Sequence, residues 1–261
     1  MSLLVDKKDG VARVTLNRPD VRNAFDDALI ASLTQAFSAL NSDAAVKVVV
    51  LGGNGPAFCA GADLNWMKRM AGYGHDENLR DARALADMLA TLDGLDKPTI
   101  ARVHGPAFAG GTGLVAACDI AVGTPEAKFC FSEAKLGLSP ATISPYVMRA
   151  IGARAASRYF LTAEVFGAEE ALRIGMLSAL VPAAELDPAI EALAQHLLAG
   201  GSEAHARIKD LIRHVAGRPL DDALRGDTAR RIAEIRASAE GKEGIASFLE
   251  KRKPKWFSGK S

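Results

Sequence analysis

The order of the predicted strands and helices constrains the fold of this chain more than any other feature. Apolar residues alternate with polar ones over residues 11–16, which is typical of a strand with one buried face. A β-branched run over residues 46–51 indicates a fully buried strand, and apolar residues at helical spacing precede it over residues 24–40. The alternation continues with a predicted helix over residues 79–92 and predicted strands over residues 99–103, 119–122 and 128–131. Such an order predicts an α/β core.

The last third of the chain has a different pattern. From residue 141 onward the sequence is mostly helical, which predicts a helical C-terminal part after the core. Small residues over 198–202 interrupt the helical pattern, so we place the boundary there, with residues 1–198 as the α/β core and residues 199–261 as the helical part. The final residues, 248–260, are basic; this is typical of a solvated tail but also suits contact with a phosphate.

Composition narrows the classes of function. Of the 261 residues 49% are hydrophobic and 24% are charged, which is typical of a globular protein. The formal net charge of +1 gives no indication of nucleic acid or an anionic membrane as a partner. Three cysteines without a metal-binding spacing indicate free thiols in a reducing, cytoplasmic compartment and no metal site. Neither a signal peptide nor a run of the ~18 apolar residues that a membrane helix needs is evident.

Two glycine-containing loops follow predicted strands, at residues 58–64 and 105–113. Small residues let a ligand approach the backbone closely. Unpaired N–H groups at the start of a helix favour a developing negative oxygen, and two of them from separate loops could form an oxyanion hole. Neither loop has the spacing of a dinucleotide-binding fingerprint or of a P-loop, so those sites are not predicted.

Four motifs, found in the expected order over nearly the whole chain, resemble the enoyl-CoA hydratase (crotonase) superfamily. They are an opening motif at residues 16–19 and 23–25, a coenzyme-A-binding loop at residues 58–64, a glycine-rich signature over residues 100–120 and a C-terminal motif at residues 248–252. The resemblance implies a spiral core of ββα units with a helical C-terminal oligomerisation part. It also implies a homotrimer or a hexamer that acts on an acyl-CoA thioester.

The same resemblance implies roles for individual residues. The backbone N–H groups of Ala62 and Gly110 would hold the thioester oxygen, where charge builds up as the thioester becomes an enolate. The residues implied for coenzyme A binding are Arg22, Ala24, Ala60, Ala62, Asp63, Leu64, Phe248 and Lys251. Arg22 and Lys251 are candidates for its phosphates, and Lys251 could act across a subunit boundary. Since coenzyme A is part of the substrate, no separate cofactor is expected.

Family hydratases use two glutamates, and this chain has only one of them. Glu133 stands at the later position, but Gly113 stands at the earlier one. Hydration needs a base for the attacking water and an acid for Cα, and two carboxylates can divide these roles. A single glutamate could carry both transfers while other polar groups hold the water, for which the candidates are Thr112, Ser139, Thr142 and Ser144. It could instead move a proton between carbons, as isomerases of this family do. The glycine could also make room for the natural acyl group.

A closer resemblance narrows the substrate. Residues 61–67, 132–145 and 248–254 resemble the bacterial methylglutaconyl-CoA hydratase group, which acts in leucine or acyclic-terpene breakdown and also has a glycine at the earlier position. We therefore expect a lyase that adds water to a 2-enoyl-CoA, with 3-methylglutaconyl-CoA or a related branched or carboxylated thioester as substrate. The alternatives are a single-glutamate enoyl-CoA isomerase and a non-catalytic, RNA-binding member of the family. Near-neutral charge and the presence of Glu133 disfavour the last of these.

Overall fold

The computed structural model describes residues 1–257, which form two sheets. The strands are β1 (Leu3–Lys8), β2 (Val11–Leu16), β3 (Val48–Gly53), β4 (Thr99–Val103), β5 (Ala107–Phe108), β6 (Ile120–Gly123), β7 (Lys128–Cys130), β8 (Phe166–Gly167) and β9 (Ala179–Leu180). The main sheet has the order β1-β2-β3-β4-β6-β9, in which only β1 and β2 pair antiparallel. The basic residue Lys260 and the end of the predicted 199–261 part lie outside the described residues.

The second sheet is small, and the segments that leave it build the candidate site. β5 pairs in parallel with β7, so that Phe108 lies opposite Cys130, and β7 pairs antiparallel with β8. Because β5 and β7 run in parallel, the residues that follow them leave the sheet at the same edge. Gly110 follows β5 and Glu133 follows β7.

Helices alternate with the strands and then continue alone. They are α1 (Asp27–Ser42), α2 (Leu64–Met70), α3 (His75–Asp93), α4 (Gly110–Ala117), α5 (Ser144–Thr162), α6 (Ala168–Ile174), α7 (Leu186–Leu198), α8 (Ser202–Val215), α9 (Asp222–Ala237) and α10 (Ala239–Leu249). This order confirms the predicted α/β core followed by a helical C-terminal part. α1 begins later than predicted because Asp26 is its N-cap and accepts a hydrogen bond from the N–H of Leu29 at 2.8 Å.

The central strands are buried on both faces, which explains their continuous apolar runs. α1, α3 and α4 pack against one face of the main sheet and form the larger core with it. On the opposite face Val48, Val50 and Ile100 pack against Leu186 and Ile190 of α7. Since parallel strands are stable only when both faces are covered, these two layers hold the loops at the strand ends in place.

A buried ion pair attaches α8 to the core. The ammonium group of Lys209 donates to Oδ2 of Asp119 at 2.6 Å and to the carbonyl oxygen of Lys97 at 3.1 Å. The same oxygen of Asp119 accepts hydrogen bonds from the N–H and the hydroxyl group of Thr99, both at 2.8 Å. Removing Asp119 would leave the buried cation of Lys209 without its partner, which is strongly destabilising. The helical pattern breaks between α7 and α8, as expected, and the division of the chain at residue 198 stays a prediction.

The C-terminal helices expose several large apolar side chains. They are Ile208, Ile212, Ile232, Ile245, Phe248 and Leu249. Exposed apolar surface of this kind often marks a site of association with another protein. Within residues 1–257, no helix combines the length and the apolar character needed to cross a membrane.

Several elements were not predicted from the sequence. β1, α2 and the two-residue strands β5, β8 and β9 are too short or too polar to show a clear pattern. The apolar run that begins at residue 114 predicts a helix from that point, but α4 begins earlier, at Gly110, and includes the glycine and threonine residues before the run. This difference matters, because it places Gly110 in the first turn of a helix.

Candidate active site

Two glycine-containing loops lie directly against each other. The N–H of Cys59 donates to the carbonyl oxygen of Pro106 at 3.1 Å, and the N–H of Phe108 donates to the carbonyl oxygen of Cys59 at 2.9 Å. Cys59 and Ala107 also form an isolated parallel β-bridge. Burial raises the pKa of the Cys59 thiol to about 12, so this cysteine is a packing residue and not a nucleophile.

The contact between the loops continues to the residues predicted to hold the thioester oxygen. A Cβ atom on Gly61 would lie 3.1 Å from Cβ of Ala109, so the backbones touch at this point. Ala62 follows Gly61 and Gly110 follows Ala109, which brings the two predicted N–H donors to neighbouring positions.

Both N–H groups are available to a ligand. The hydrogen bonds beside Ala62 belong to its neighbours, since Phe25 donates to Gly61 and Asp63 donates to Phe25, both at 2.7 Å. Gly110 is the first residue of α4, where N–H groups have no acceptor within the helix and the helix dipole favours negative charge. Among residues 1–257, neither of the two N–H groups donates to a protein acceptor. Together they have the chemistry of an oxyanion hole.

The backbone around Gly110 is strained and closely packed. Ala109 has φ +47° and ψ −119°, a conformation that favours glycine, and it turns the chain from β5 directly into α4. A Cβ atom on Gly110 would lie 2.7 Å from the ring of Phe25, and one on Gly111 would lie 2.4 Å from the carbonyl oxygen of Cys59. A larger residue at position 110 would therefore press against Phe25, and one at position 111 would push the two loops apart.

Asn23, for which the sequence predicts no role of its own, anchors the first loop. It is fully buried with φ +58°, and its side-chain amide donates to the carbonyl oxygens of Asn54 and Ala57 at 2.8 and 2.9 Å. Its side-chain oxygen accepts a hydrogen bond from the N–H of Arg18 at 2.8 Å. An amide with both ends satisfied in the interior holds the loop in one arrangement.

Arg18 extends this anchor to the N-terminus of α2. Its guanidinium donates to Asp63 at 2.9 Å and to the carbonyl oxygen of Ala24 at 2.5 Å. The other carboxylate oxygen of Asp63 accepts hydrogen bonds from the N–H groups of Asn65 and Trp66 and so caps α2. Burial alone would raise the pKa of Asp63, but these N–H groups and the guanidinium lower it below its ordinary value. Arg18 thus holds the residue next to Ala62 through a charged hydrogen bond.

Glu133 lies in a 3-10 turn, Ser132–Leu136, immediately beyond the edge at which Gly110 leaves β5. Its Oε2 atom is buried and has no hydrogen-bond partner among residues 1–257. Burial, and not a neighbouring charge, raises the pKa of this carboxyl above its ordinary value. A buried carboxylate oxygen without a partner is costly for stability, which makes Glu133 a candidate functional residue.

Of the four hydroxyl groups considered as helpers for a water molecule, those of Thr112 and Ser144 have backbone partners instead. The hydroxyl of Thr112 donates to the carbonyl oxygen of Ala107 at 2.8 Å, and that of Ser144 donates to Ala141 at 2.9 Å. Gly113 lies one helical turn after Gly110, is buried, and carries no side chain toward the site. Within residues 1–257, Glu133 is thus the single carboxylate placed at a predicted catalytic position.

Most residues predicted to bind coenzyme A lie along the rim of the first loop. The N–H of Ala60 donates to the carbonyl oxygen of Arg22 at 2.9 Å, so the two are in contact. Ala24 is buried next to Phe25, which bridges to Ala62. Arg22 is exposed and left-handed, with φ +53°. Beyond Asp63, the side chain of Leu64 is 74% exposed, so an apolar surface continues along this rim.

The C-terminal motif lies elsewhere in the same chain. The segment that contains Phe248 and Lys251 continues to Trp256, which donates to the carbonyl oxygen of Ala199 at 3.2 Å and accepts a hydrogen bond from Lys47 at 2.7 Å. Phe248 is 82% exposed, and within residues 1–257 neither it nor Lys251 forms a hydrogen bond or ion pair with the rim of the first loop. The structure therefore does not bring Phe248 and Lys251 into contact with the other residues predicted to bind coenzyme A.

Comparison with known proteins agrees with this geometry. The family model described as enoyl-CoA hydratase/isomerase matches residues 6–259. The chain is 30% identical to a crotonyl-CoA hydratase from Syntrophomonas wolfei over 98% of both chains. It is also 35% identical to an enoyl-CoA hydratase from Alternaria alternata, over 94% of this chain and 80% of the relative. The crystal structure of an enoyl-CoA hydratase from Shewanella pealeana superimposes with a TM-score of 0.96 at 41% identity, over 98% of this chain and 96% of that one. The predicted spiral fold is therefore confirmed, and the chain belongs to the enoyl-CoA hydratase/isomerase family, the crotonase superfamily, as a lyase-type enzyme.

Proposed function

We propose that this protein is an enoyl-CoA hydratase, which adds water across the double bond of a 2-enoyl-CoA thioester. One observation carries the proposal. Glu133, whose Oε2 atom is buried without a partner, follows β7 at the edge where Gly110 follows β5, and the unpaired N–H groups of Gly110 and Ala62 are neighbours. This combination suits a reaction that builds charge on a carbonyl oxygen while it moves a proton nearby.

The arrangement supports a mechanism with a single carboxylate. The thioester oxygen accepts hydrogen bonds from the N–H groups of Ala62 and Gly110, which draws electrons from the double bond. Ionised Glu133 takes a proton from water as the water oxygen bonds to Cβ, and the electron pair of the double bond moves through Cα to the thioester oxygen. Glu133 then gives a proton to Cα, which restores both the carbonyl group and the ionised glutamate.

For the acyl group, we propose 3-methylglutaconyl-CoA or a related branched or carboxylated thioester. The support is the resemblance of residues 61–67, 132–145 and 248–254 to the bacterial methylglutaconyl-CoA hydratase group, including the glycine at position 113. This substrate would place the enzyme in the breakdown of leucine or acyclic terpenes. The three cysteines, all free, agree with a cytoplasmic location.

A homotrimer or hexamer completes the proposal. The exposed apolar side chains of α8, α9 and α10 offer a surface for association, and a neighbour's Lys251 could then reach the coenzyme A phosphates near Arg22. Sedimentation velocity at micromolar concentration tests this, and a monomer would contradict it.

The second candidate is an enoyl-CoA isomerase, which the presence of one carboxylate favours. In that reaction Glu133 would carry a proton between two carbons and no water would be consumed. A panel of enoyl-CoA thioesters, including crotonyl-CoA and 3-methylglutaconyl-CoA, with mass-spectrometric product identification distinguishes the two. A 3-hydroxyacyl-CoA product supports hydration, whereas a product of unchanged mass with a shifted double bond supports isomerisation.

A further inference from the structure

Gly113 is packed against an isoleucine from a distant part of the sequence. A Cβ atom on Gly113 would lie 2.3 Å from Cγ2 and 2.9 Å from Cβ of Ile143, and 3.8 Å from Cδ2 of Leu89. Real Cβ atoms do not approach other atoms below about 3.0 Å. The space beside Gly113 is therefore filled by Ile143, and it is not room for an acyl group.

Ile143 is held firmly in this place. Its side chain is only 1% exposed and belongs to the larger core. Its carbonyl oxygen accepts hydrogen bonds from the N–H groups of Tyr146 at 3.2 Å and Val147 at 3.1 Å, so the residue is the N-cap of α5. A buried β-branched side chain on a helix end has little freedom to move aside.

The segment that carries Ile143 also carries Glu133. The chain leaves the 3-10 turn of Glu133 through Leu138, whose N–H donates to the carbonyl oxygen of Glu133 at 3.0 Å, and reaches Ile143 five residues later. α4 packs against α5, and α5 packs against this turn. One connected segment therefore supplies both the carboxylate and the apolar group that fills the space beside Gly113.

We infer that Ile143 is a positioning residue that keeps this active site to one acid–base group. Its side chain excludes both a second carboxylate and a water molecule from the side of Gly113, so that Glu133 alone meets the reacting water. This inference rests on the proposed hydratase function. Gly113 and Ile143 then form a complementary pair: a side chain can be added at position 113 only if the side chain at position 143 is removed.

A double-mutant cycle tests the pair through thermal unfolding. The variants are Gly113→Glu, Ile143→Gly and the two combined, and Gly226→Ala is the matched control because a Cβ atom on Gly226, within α9, meets nothing within 4 Å. We expect Gly113→Glu alone to lower the melting temperature sharply and the combined variant to melt higher than Gly113→Glu. An unchanged melting temperature for Gly113→Glu, or a combined variant that melts no higher than it, would overturn the inference.

The dependence of kcat/KM on pH tests whether Ile143 limits the site to one acid–base group. In Gly113→Glu/Ile143→Gly we expect a second ionisation, which the matched variant Gly113→Gln/Ile143→Gly lacks because an amide does not titrate. If the combined variant folds and binds CoA thioesters but both profiles show one ionisation, Ile143 does not control the number of acid–base groups. Failure of the hydratase proposal would look different: the wild type would bind CoA thioesters without forming a hydrated product, while the unfolding cycle would still report on the pair.

Discussion

The two sides of this active site are built in opposite ways. The side proposed to hold the thioester oxygen is backbone, and Asn23, Arg18 and the Cys59–Ala107 bridge tie its loops together. The side proposed to move the proton is one side chain, Glu133, with a buried oxygen that has no partner among residues 1–257.

This difference has a physical reason. Stabilising charge on an oxygen needs donors fixed in advance, and the side chains of Asn23, Arg18 and Asp63, which support these donors, are hydrogen-bonded. Proton transfer needs a carboxylate that is free to accept and release a proton, and strong hydrogen bonds would lower its basicity. We therefore expect substitutions on the two sides to differ in size and in kind.

The largest effect should come from Glu133→Gln. The amide keeps the shape but cannot accept the proton, and general acid–base catalysis contributes ~10²–10⁴-fold, with the upper end expected for a group that carries both transfers. Steady-state kinetics should show the loss in kcat, and isothermal titration should show unchanged binding of a CoA thioester. If the variant keeps more than about a tenth of wild-type turnover, its loss is smaller than the low end of that range, and Glu133 is not the catalytic group.

The same variant should be at least as stable as the wild type at neutral pH. Burial raises the folded-state pKa of Glu133, so ionisation of this group opposes folding as pH rises through that value. Glu133→Gln removes this penalty, and its advantage in melting temperature should disappear as pH falls below the ordinary glutamate range. A loss of stability at neutral pH would point to a structural role for the carboxylate.

A smaller loss should follow from moving the oxyanion donors. In Gly110→Ala the new Cβ would lie 2.7 Å from the ring of Phe25, so the start of α4 must move away from Phe25, which is hydrogen-bonded to Gly61 and Asp63 of the first loop. Displacing one such donor costs on the order of 10²-fold in kcat. Gly226→Ala is the control, because it adds the same methyl group where it meets nothing within 4 Å. Equal activity in the two variants would show that the Gly110 N–H has no role.

Arg18→Met should have a moderate effect on the same side. It removes the charged hydrogen bond to Asp63 while Asp63 still caps α2, so Ala62 loses one of its supports. We expect kcat/KM to fall about tenfold, as for a small misplacement of a positioning group. Arg13→Met, which removes an exposed ion pair with Glu191, is the matched control and should keep full activity. Similar kinetics for both variants would contradict a positioning role for Arg18.

The smallest effect is expected for Lys251→Ala, because Lys251 belongs neither to the loops with the backbone donors nor to the segment of Glu133. A phosphate contact remote from the reacting carbons contributes equally in the ground and transition states, so KM should rise about fivefold, as for an exposed ion pair, with kcat unchanged. Lys253→Ala is the control, since Lys253 lies over the ring of Phe257 at 4.4 Å. The KM for a dephospho substrate analogue should be the same in the wild type and in Lys251→Ala. If the KM for the full CoA thioester is also the same in both, Lys251 does not contact a phosphate of coenzyme A.

The parts of the molecule that the sequence predicted well are those governed by local pattern. The runs at residues 11–16 and 99–103 became β2 and β4, since alternation and β-branched residues act within a few positions of the chain. The two glycine-containing loops were also visible, because small residues after strands have a direct backbone meaning.

What the sequence did not show depends on contacts between distant residues. Asn23 bonds to Asn54 and Ala57, and Ile143 fills the space beside Gly113, yet neither residue has an unusual local pattern. The start of α4 at Gly110 was missed because glycine is a poor helix former, and here the tertiary packing overrides that preference. From the sequence, Gly113 indicates either a missing carboxylate or space for the acyl group. Only the packing of the folded chain shows that Ile143 fills the space beside it.

The dependence of wild-type kcat/KM on pH, measured for a 2-enoyl-CoA that the enzyme hydrates, tests the single-carboxylate mechanism most directly. Glu133 must be ionised to take a proton from water. Because burial raises the pKa of this carboxyl, activity should be lost on acidification at a higher pH than for an enzyme that uses an ordinary glutamate. We predict one ionisation, with kcat/KM rising to a plateau that extends through neutral pH. A bell-shaped profile, in which kcat/KM falls again as pH rises and does so before about pH 8, would contradict the mechanism. It would require a second group that must be protonated, with a pKa in the range of a histidine or of a carboxyl group whose pKa is raised.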